Sequence, residues 1–225
     1  ICNIHFPESS ESLEKAKNRL VFEELLVLQL GLSLLGKQKR KKIGIPMKKV
    51  DLKDFFDSLP FQPTNAQKKA IKESISDMLK PLPMNRLLQG DVGSGKTLVA
   101  AALMYFTVKN GYQAALMAPT EILAKQHRET LRGFLEPLGI NIELLTGGLG
   151  AKEKKLAGER IKSGEAQIVV GTHALIQKNV EFNRLGLSVT DEQHRICVGQ
   201  RSKLKEKGEN PHILVIAAKH IPRTL

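Results

Sequence analysis

The sequence predicts an α/β protein: a central parallel sheet flanked by helices, preceded by an N-terminal helical segment. Two observations carry this. From residue 86 onward, short apolar runs at 86–89, 113–118, 141–145, 167–170, 187–190 and 213–217 alternate with mostly helical patterns. Such alternation of helices with short apolar strands argues for a parallel sheet covered on both faces. After the first run comes Gly90-Asp91-Val92-Gly93-Ser94-Gly95-Lys96-Thr97, which meets the pattern G-x-x-x-x-G-K-[ST] at every fixed position. Leu87-Leu88 before it close a strand, and Leu98-Val99-Ala100-Ala101-Ala102-Leu103-Met104 after it open a helix.

Residues 1–7 read as an extended lead ending in Phe6-Pro7. Glu8-Ser9-Ser10-Glu11-Ser12 offers N-caps for a helix over 13–35. That helix begins amphipathic, with Leu13, Ala16 and Leu20 on one face, and ends apolar all round, which implies burial against something larger. Gly36 is expected to close it. The basic run Lys37-Gln38-Lys39-Arg40-Lys41-Lys42, then Gly44 and Pro46, reads as an exposed linker. The expected division is therefore 1–50, helical connector and basic linker, and 51–225, a compact domain. In the latter Phe55, Phe56, Leu59 and Phe61 are apolar anchors, and Thr64 caps a helix carrying Ala66, Ala70, Ile71, Ile75 and Leu79 as far as Pro81 and Pro83. Gly111 and Gly164 stand where helix C-termini need a left-handed residue.

The composition is 41% hydrophobic and 26% charged, that of a globular domain. Lys+Arg 35 against Asp+Glu 23 leaves a net charge of +12, a sign that favours polyanions, nucleic acid foremost. Cys2 and Cys197 match no metal or redox spacing and suit a reducing cytoplasm, not a disulfide scaffold. No apolar run is long enough to span a bilayer. A first residue Ile1 and a last residue Leu225 without a terminal motif give the expectation of a piece of a longer protein.

Glycines at 90, 93 and 95 let the backbone wrap a phosphate and turn its N–H groups inward, while the following helix aims its positive end at the same anion. Lys96 is then the residue that reaches the β- and γ-phosphates of ATP, and Thr97 the hydroxyl that holds Mg²⁺. Asp191-Glu192 at the end of the run 187–190 completes such a site: Asp191 for the Mg²⁺ shell, Glu192 to orient and deprotonate the attacking water. The motifs fall at strand carboxyl ends, where parallel sheets bind ligands.

These blocks, together with Met117-Ala118-Pro119-Thr120-Glu121-Ile122-Leu123-Ala124, Gly171-Thr172-His173-Ala174-Leu175-Ile176, Asp191-Glu192-Gln193-His194-Arg195, Gly208-Glu209-Asn210-Pro211-His212 and Ile221-Pro222-Arg223-Thr224-Leu225, resemble the bacterial RecG-type ATP-dependent DNA helicases of superfamily two over nearly the whole chain. The resemblance implies a RecA-like P-loop NTPase lobe, the first of two motor lobes. Leu20-Val21-Phe22-Glu23-Glu24-Leu25-Leu26 looks like the helix joining the family's DNA-binding wedge domain to its motor. The wedge, the second lobe and its arginine finger would lie outside this chain. The resemblance further implies that Gln67 reads the adenine ring. It implies that Pro119, Thr120 and Glu121, Gly147 and Gly148, and Gly171, Thr172 and His173 grip a sugar–phosphate chain without reading sequence. Gln193, His194, Arg195 and Lys219 fall where the family couples hydrolysis to movement. The implied activity is cytoplasmic, nucleoid-associated remodelling of branched DNA, such as stalled forks and Holliday junctions, in recombination and repair.

Departures from the family cluster in 188–220. Ser188 and Thr190 interrupt the apolar strand before the acidic motif, and Ile196-Cys197 and Gly199 replace a Phe-Gly pair and an acidic residue. Ala217-Ala218-Lys219-His220 stands where the family carries Thr-Ala-Thr-Pro. The expectation is retained nucleotide binding with impaired coupling. Two other readings stay open: the translocase lobe of a transcription–repair coupling factor, and a degenerate lobe that binds nucleotide or DNA without turnover.

Overall fold

The computed structural model describes residues 2–39, 43–191, 204 and 207–218. The chain divides into two units, 1–42 and 43–225. In the first unit, α1 (Cys2–His5) is a single helical turn where an extended lead was expected, and α2 runs over Ser10–Lys39. Ser9 and Ser12 cap α2 reciprocally, each backbone N–H donating to the other's hydroxyl at 3.1 and 3.2 Å. Gly36 does not end α2, which continues through it to Lys39; a glycine inside a helix costs only about 1 kcal/mol against alanine, and a helix this long absorbs that. Leu20, Val21, Phe22, Leu25, Leu26, Val27, Leu28 and Leu30 are exposed. No helix among the described residues is long and apolar enough to cross a membrane.

The unit boundary falls after residue 42 and not after 50, because 43–50 are fastened to the second unit. Ile45 and Met47 are buried in its core. Gly44 N–H donates to Pro81 O at 2.8 Å, and Lys48 N–H to the Asn110 side-chain oxygen at 2.6 Å. The imidazole of His212 is fully used: its Nδ1 accepts from Met84 N–H at 2.9 Å and its Nε2 donates to Ile45 O at 3.3 Å. The Gly208–His212 block thus lies at the amino end of its strand and serves the fold, unlike the other motifs.

The second unit is a six-stranded parallel sheet in the order β1-β6-β5-β2-β4-β3. The strands are β1 Asn85–Gly90, β2 Gln113–Met117, β3 Ile142–Leu145, β4 Ile168–Gly171, β5 Leu185–Asp191 and β6 His212–Ala218, one for each expected run. The helices are α3 Lys53–Asp57, α4 Asn65–Met78, α5 Lys96–Lys109, α6 Glu121–Leu135 and α7 Ala151–Ser163. Strand alternation sends Ala114, Leu116 and Ala118 into a core shared with α4, α5 and α6, and Ala115 and Met117 into a second core shared with α7. The three alanines of α5 and their neighbours from Leu98 to Thr107 are all buried, so α5 is a central helix, apolar all round because it is covered all round. Thr64 and Gln67 form the capping box of α4. Gly111 and Gly164 follow α5 and α7 with φ of 78° and 84°. Ser188 and Thr190 are buried in β5 between β2 and β6.

Candidate nucleotide cleft and strand-end loops

The phosphate loop bridges β1 and α5. Gly93 and Gly95 have φ of 79° and 76°, and Gly95 is the N-cap of α5. This left-handed backbone is what lets the loop turn into the helix without a Cβ penalty. Lys96 folds back over the loop, its Nζ donating to Gly90 O at 2.9 Å and Asp91 O at 2.7 Å. Gln67 reaches the loop from α4. Its Nε2 donates to Ser94 O at 3.0 Å while its Oε1 accepts from Thr64 N–H at 2.9 Å. Both ends of that amide are therefore engaged within the protein.

Asp191 closes β5, and its side chain is buried. Its Oδ2 accepts from His127 Nε2 at 2.7 Å, and its Oδ1, also buried, has no hydrogen-bond partner among the described residues. Gln67, Gly93, Gly95, Lys96, Thr97 and Asp191 line one cleft of about 410 Å³. Gly90, Asp91, Val92 and Ser94 shape the loop without lining that cleft. Glu192, Gln193, His194, Arg195 and Lys219 lie outside the described residues, as do Ile196, Cys197 and Gly199.

His127, Thr130 and Phe134 of α6, and Phe61 before α4, also line the cleft. The rings of Phe61 and Phe134 meet edge to face at 6.2 Å. Of these four, the sequence marks only Phe61, as an apolar anchor; its side chain is exposed. The spacing of 127, 130 and 134 places three residues on one helical face, but nothing in the sequence says that this face looks at Asp191.

The remaining motif loops follow β2, β4 and β3, adjacent in the sheet. Thr120 caps α6, its hydroxyl accepting from Leu123 N–H at 3.3 Å. Glu121 does not point away from the protein: its Oε1 accepts from Gly148 N–H at 2.7 Å, and a Cβ on Gly148 would collide with it. Lys154 holds the same loop through Gly147 O at 2.6 Å. Gly171 and Thr172 are buried, and Gly171 sits against Leu145 O with no room for a side chain. Of the residues expected to grip DNA, Thr120, Gly147, Gly148 and His173 are exposed.

Residues 64–218, which hold all three loops and every residue lining the cleft except Phe61, match the DEAD/DEAH box helicases. The chain belongs to the DEAD/DEAH box helicase family. Among curated members, this helicase chain is 48% identical over 225 residues to the ATP-dependent DNA helicase RecG of Bacillus subtilis, covering 99% of this chain and 33% of that protein. It is 47% identical to the RecG of Thermotoga maritima, covering 99% and 29%. Its fold is similar to a solved structure of RecG bound to a three-way DNA junction, with a TM-score of 0.84 and 44% identity over 98% of this chain and 30% of that one. The UvsW helicase of bacteriophage T4, at 20% identity and a TM-score of 0.57, shares the fold. The helicase chain spans about a third of the length of the curated relatives it matches.

Proposed function

We propose that this chain is the first motor lobe of an ATP-dependent DNA helicase or translocase that remodels branched DNA, stalled forks and Holliday junctions among them, on the cytoplasmic chromosome. The carrying observation is the single cleft in which Lys96, Thr97, Asp191 and Gln67 converge. Relatives named ATP-dependent DNA helicase RecG, one of them solved on a three-way junction, support the choice of substrate.

The cleft takes ATP with its phosphates in the loop. Lys96 exchanges its two neutral carbonyl partners for charged phosphate oxygens, an ion pair in place of a charge–dipole contact. Gln67 reads the adenine edge only after letting go of Ser94 O, so base binding and loop conformation are linked through one amide. The flat faces offered by Phe61 and Phe134 suit a base at the same end. For Mg²⁺ the residues fit. Asp191 and Thr97 line the same cleft, Asp191 has a buried oxygen without a partner among the described residues, and Mg²⁺ needs only one or two protein groups beside phosphate oxygens and water. When bound it neutralises phosphate charge during transfer to water. Glu192 is assigned to the attacking water.

DNA lies across the loops after β2, β3 and β4. Thr120, the Gly147-Gly148 backbone and His173 face it, with the N-terminus of α6 toward a phosphate. Pro119 shapes that N-terminus, and Gly171 and Thr172 hold the third loop from inside. Glu121 acts as a brace on Gly148 and not as a phosphate contact, since a carboxylate repels one. Ala218 is the register partner of Gly90, so β6 ends beside the phosphate loop. That supports the coupling role given to Lys219, and with it to Gln193, His194 and Arg195. The test is DNA-stimulated ATP hydrolysis and fork unwinding by the full-length protein that contains this lobe. The expected result is hydrolysis with unwinding weaker than a lobe carrying Thr-Ala-Thr-Pro at 217–220. Absence of any DNA-stimulated hydrolysis would remove the motor assignment.

A further inference from the structure

We infer that His127 is a positioning residue for the cation site, fixing the Asp191 carboxylate so that one oxygen is held and the other is presented; this rests on the nucleotide reading above. A carboxylate only accepts, so His127 Nε2 carries the hydrogen of the 2.7 Å contact. Oδ2 is occupied by that bond. Oδ1 is buried and unpartnered among the described residues, and Asp191 lines the same cleft as Lys96 and Thr97. A buried carboxylate oxygen without a donor is costly, and the cost is relieved when a cation arrives. The two oxygens thus divide the work, and the imidazole sets which one faces the ligand.

Both partners sit on rigid elements. Asp191 is the last residue of β5, which is paired on both sides by β2 and β6. His127 lies in the middle of α6, a helix capped by Thr120 and anchored in the core by Ala124, Leu131 and Leu135. A strand end and a helix interior hold an aspartate rotamer far better than solvent would. Partners that orient metal-ligating groups typically change metal affinity about 10- to 100-fold when removed.

The experiment is the half-saturating Mg²⁺ concentration for binding a fluorescent non-hydrolysable ATP analogue to this chain, with thermal unfolding of each variant measured without Mg²⁺. His127→Ala, and His127→Asn, which is too short to reach Asp191, are expected to raise that concentration about tenfold or more. His127→Gln, whose amide N–H can reach the same oxygen, is expected to recover part of the loss. If the disrupting variants melt earlier yet need no more Mg²⁺ than wild type, the bond is purely structural and the inference is wrong while the nucleotide reading stands. If wild type does not bind the analogue at any Mg²⁺ concentration, the nucleotide reading itself fails and carries this inference with it.

Discussion

Substituting Gly95 by alanine tests how the phosphate loop is held. Gly95 has φ of 76°, and a residue with a Cβ in that left-handed region costs about 1–2 kcal/mol. The added Cβ would also fall on the Gln67 amide nitrogen. Gln67 must move, and its 3.0 Å bond to Ser94 O is lost, a further ~1 kcal/mol net. Gly95→Ala should therefore destabilise the domain by about 2–3 kcal/mol. Gly93→Ala is the matched control: φ is 79°, but nothing lies within 4 Å of its Cβ position, so only the backbone part applies. In the Gln67→Ala background the steric part of Gly95→Ala disappears, and the two losses add to less than their sum. Urea unfolding of the variants measures all of this. Equal destabilisation by Gly95→Ala and Gly93→Ala, with full additivity in the double variant, would refute the role given to Gln67 as the loop's brace.

Burial holds the His212 imidazole below its ordinary pKa of 6.5, with the bond to Ile45 O partly opposing that shift. The unfolded chain then takes up the proton first, so the contribution of His212 to stability is complete above about pH 6.5 and is lost as pH falls toward the lower folded value. His212→Gln should flatten that acid limb of the urea midpoint, and an unchanged slope would remove His212 as its cause. Glu121→Ala removes a charge-assisted bond to Gly148 N–H worth about 1.5–3 kcal/mol. Hydrogen exchange at the Gly148 amide should quicken by about tenfold or more, and unchanged exchange would show that Glu121 does not hold the loop.

The sheet was legible in the sequence because short, mostly apolar runs alternate with helical patterns, although only β2, β4 and β5 are buried throughout and the edge strand β1 is partly exposed. Each expected run became a strand, with ends shifted by a residue or two. β5 begins earlier than expected, at Leu185, because Gly186 masks the apolar pattern there. The phosphate loop was legible because it is local: strand, glycines, lysine and helix are contiguous. The cleft's other half was not. His127 and Asp191 are 64 residues apart in the chain, and they meet only because β5 pairs directly with β2, whose following helix is α6. That adjacency is set by strand order, which no local pattern encodes. Gly36 misled for the opposite reason: a local stop signal was outweighed by the length of the helix around it. Likewise Ile45 and Met47 looked like linker, and only their contacts with the sheet's amino end show them as core.

The most direct measurement is the affinity of this chain for a non-hydrolysable ATP analogue with and without Lys96→Ala. Loss of the Lys96 contacts to phosphate, at about 3 kcal/mol for bonds to a charged group, corresponds to roughly a 100-fold weaker Kd. Cooperative unfolding should be kept, because the present Lys96 bonds are to loop carbonyls alone. A folded Lys96→Ala variant that binds the analogue as tightly as wild type would contradict the assignment of 90–97 as the ATP site.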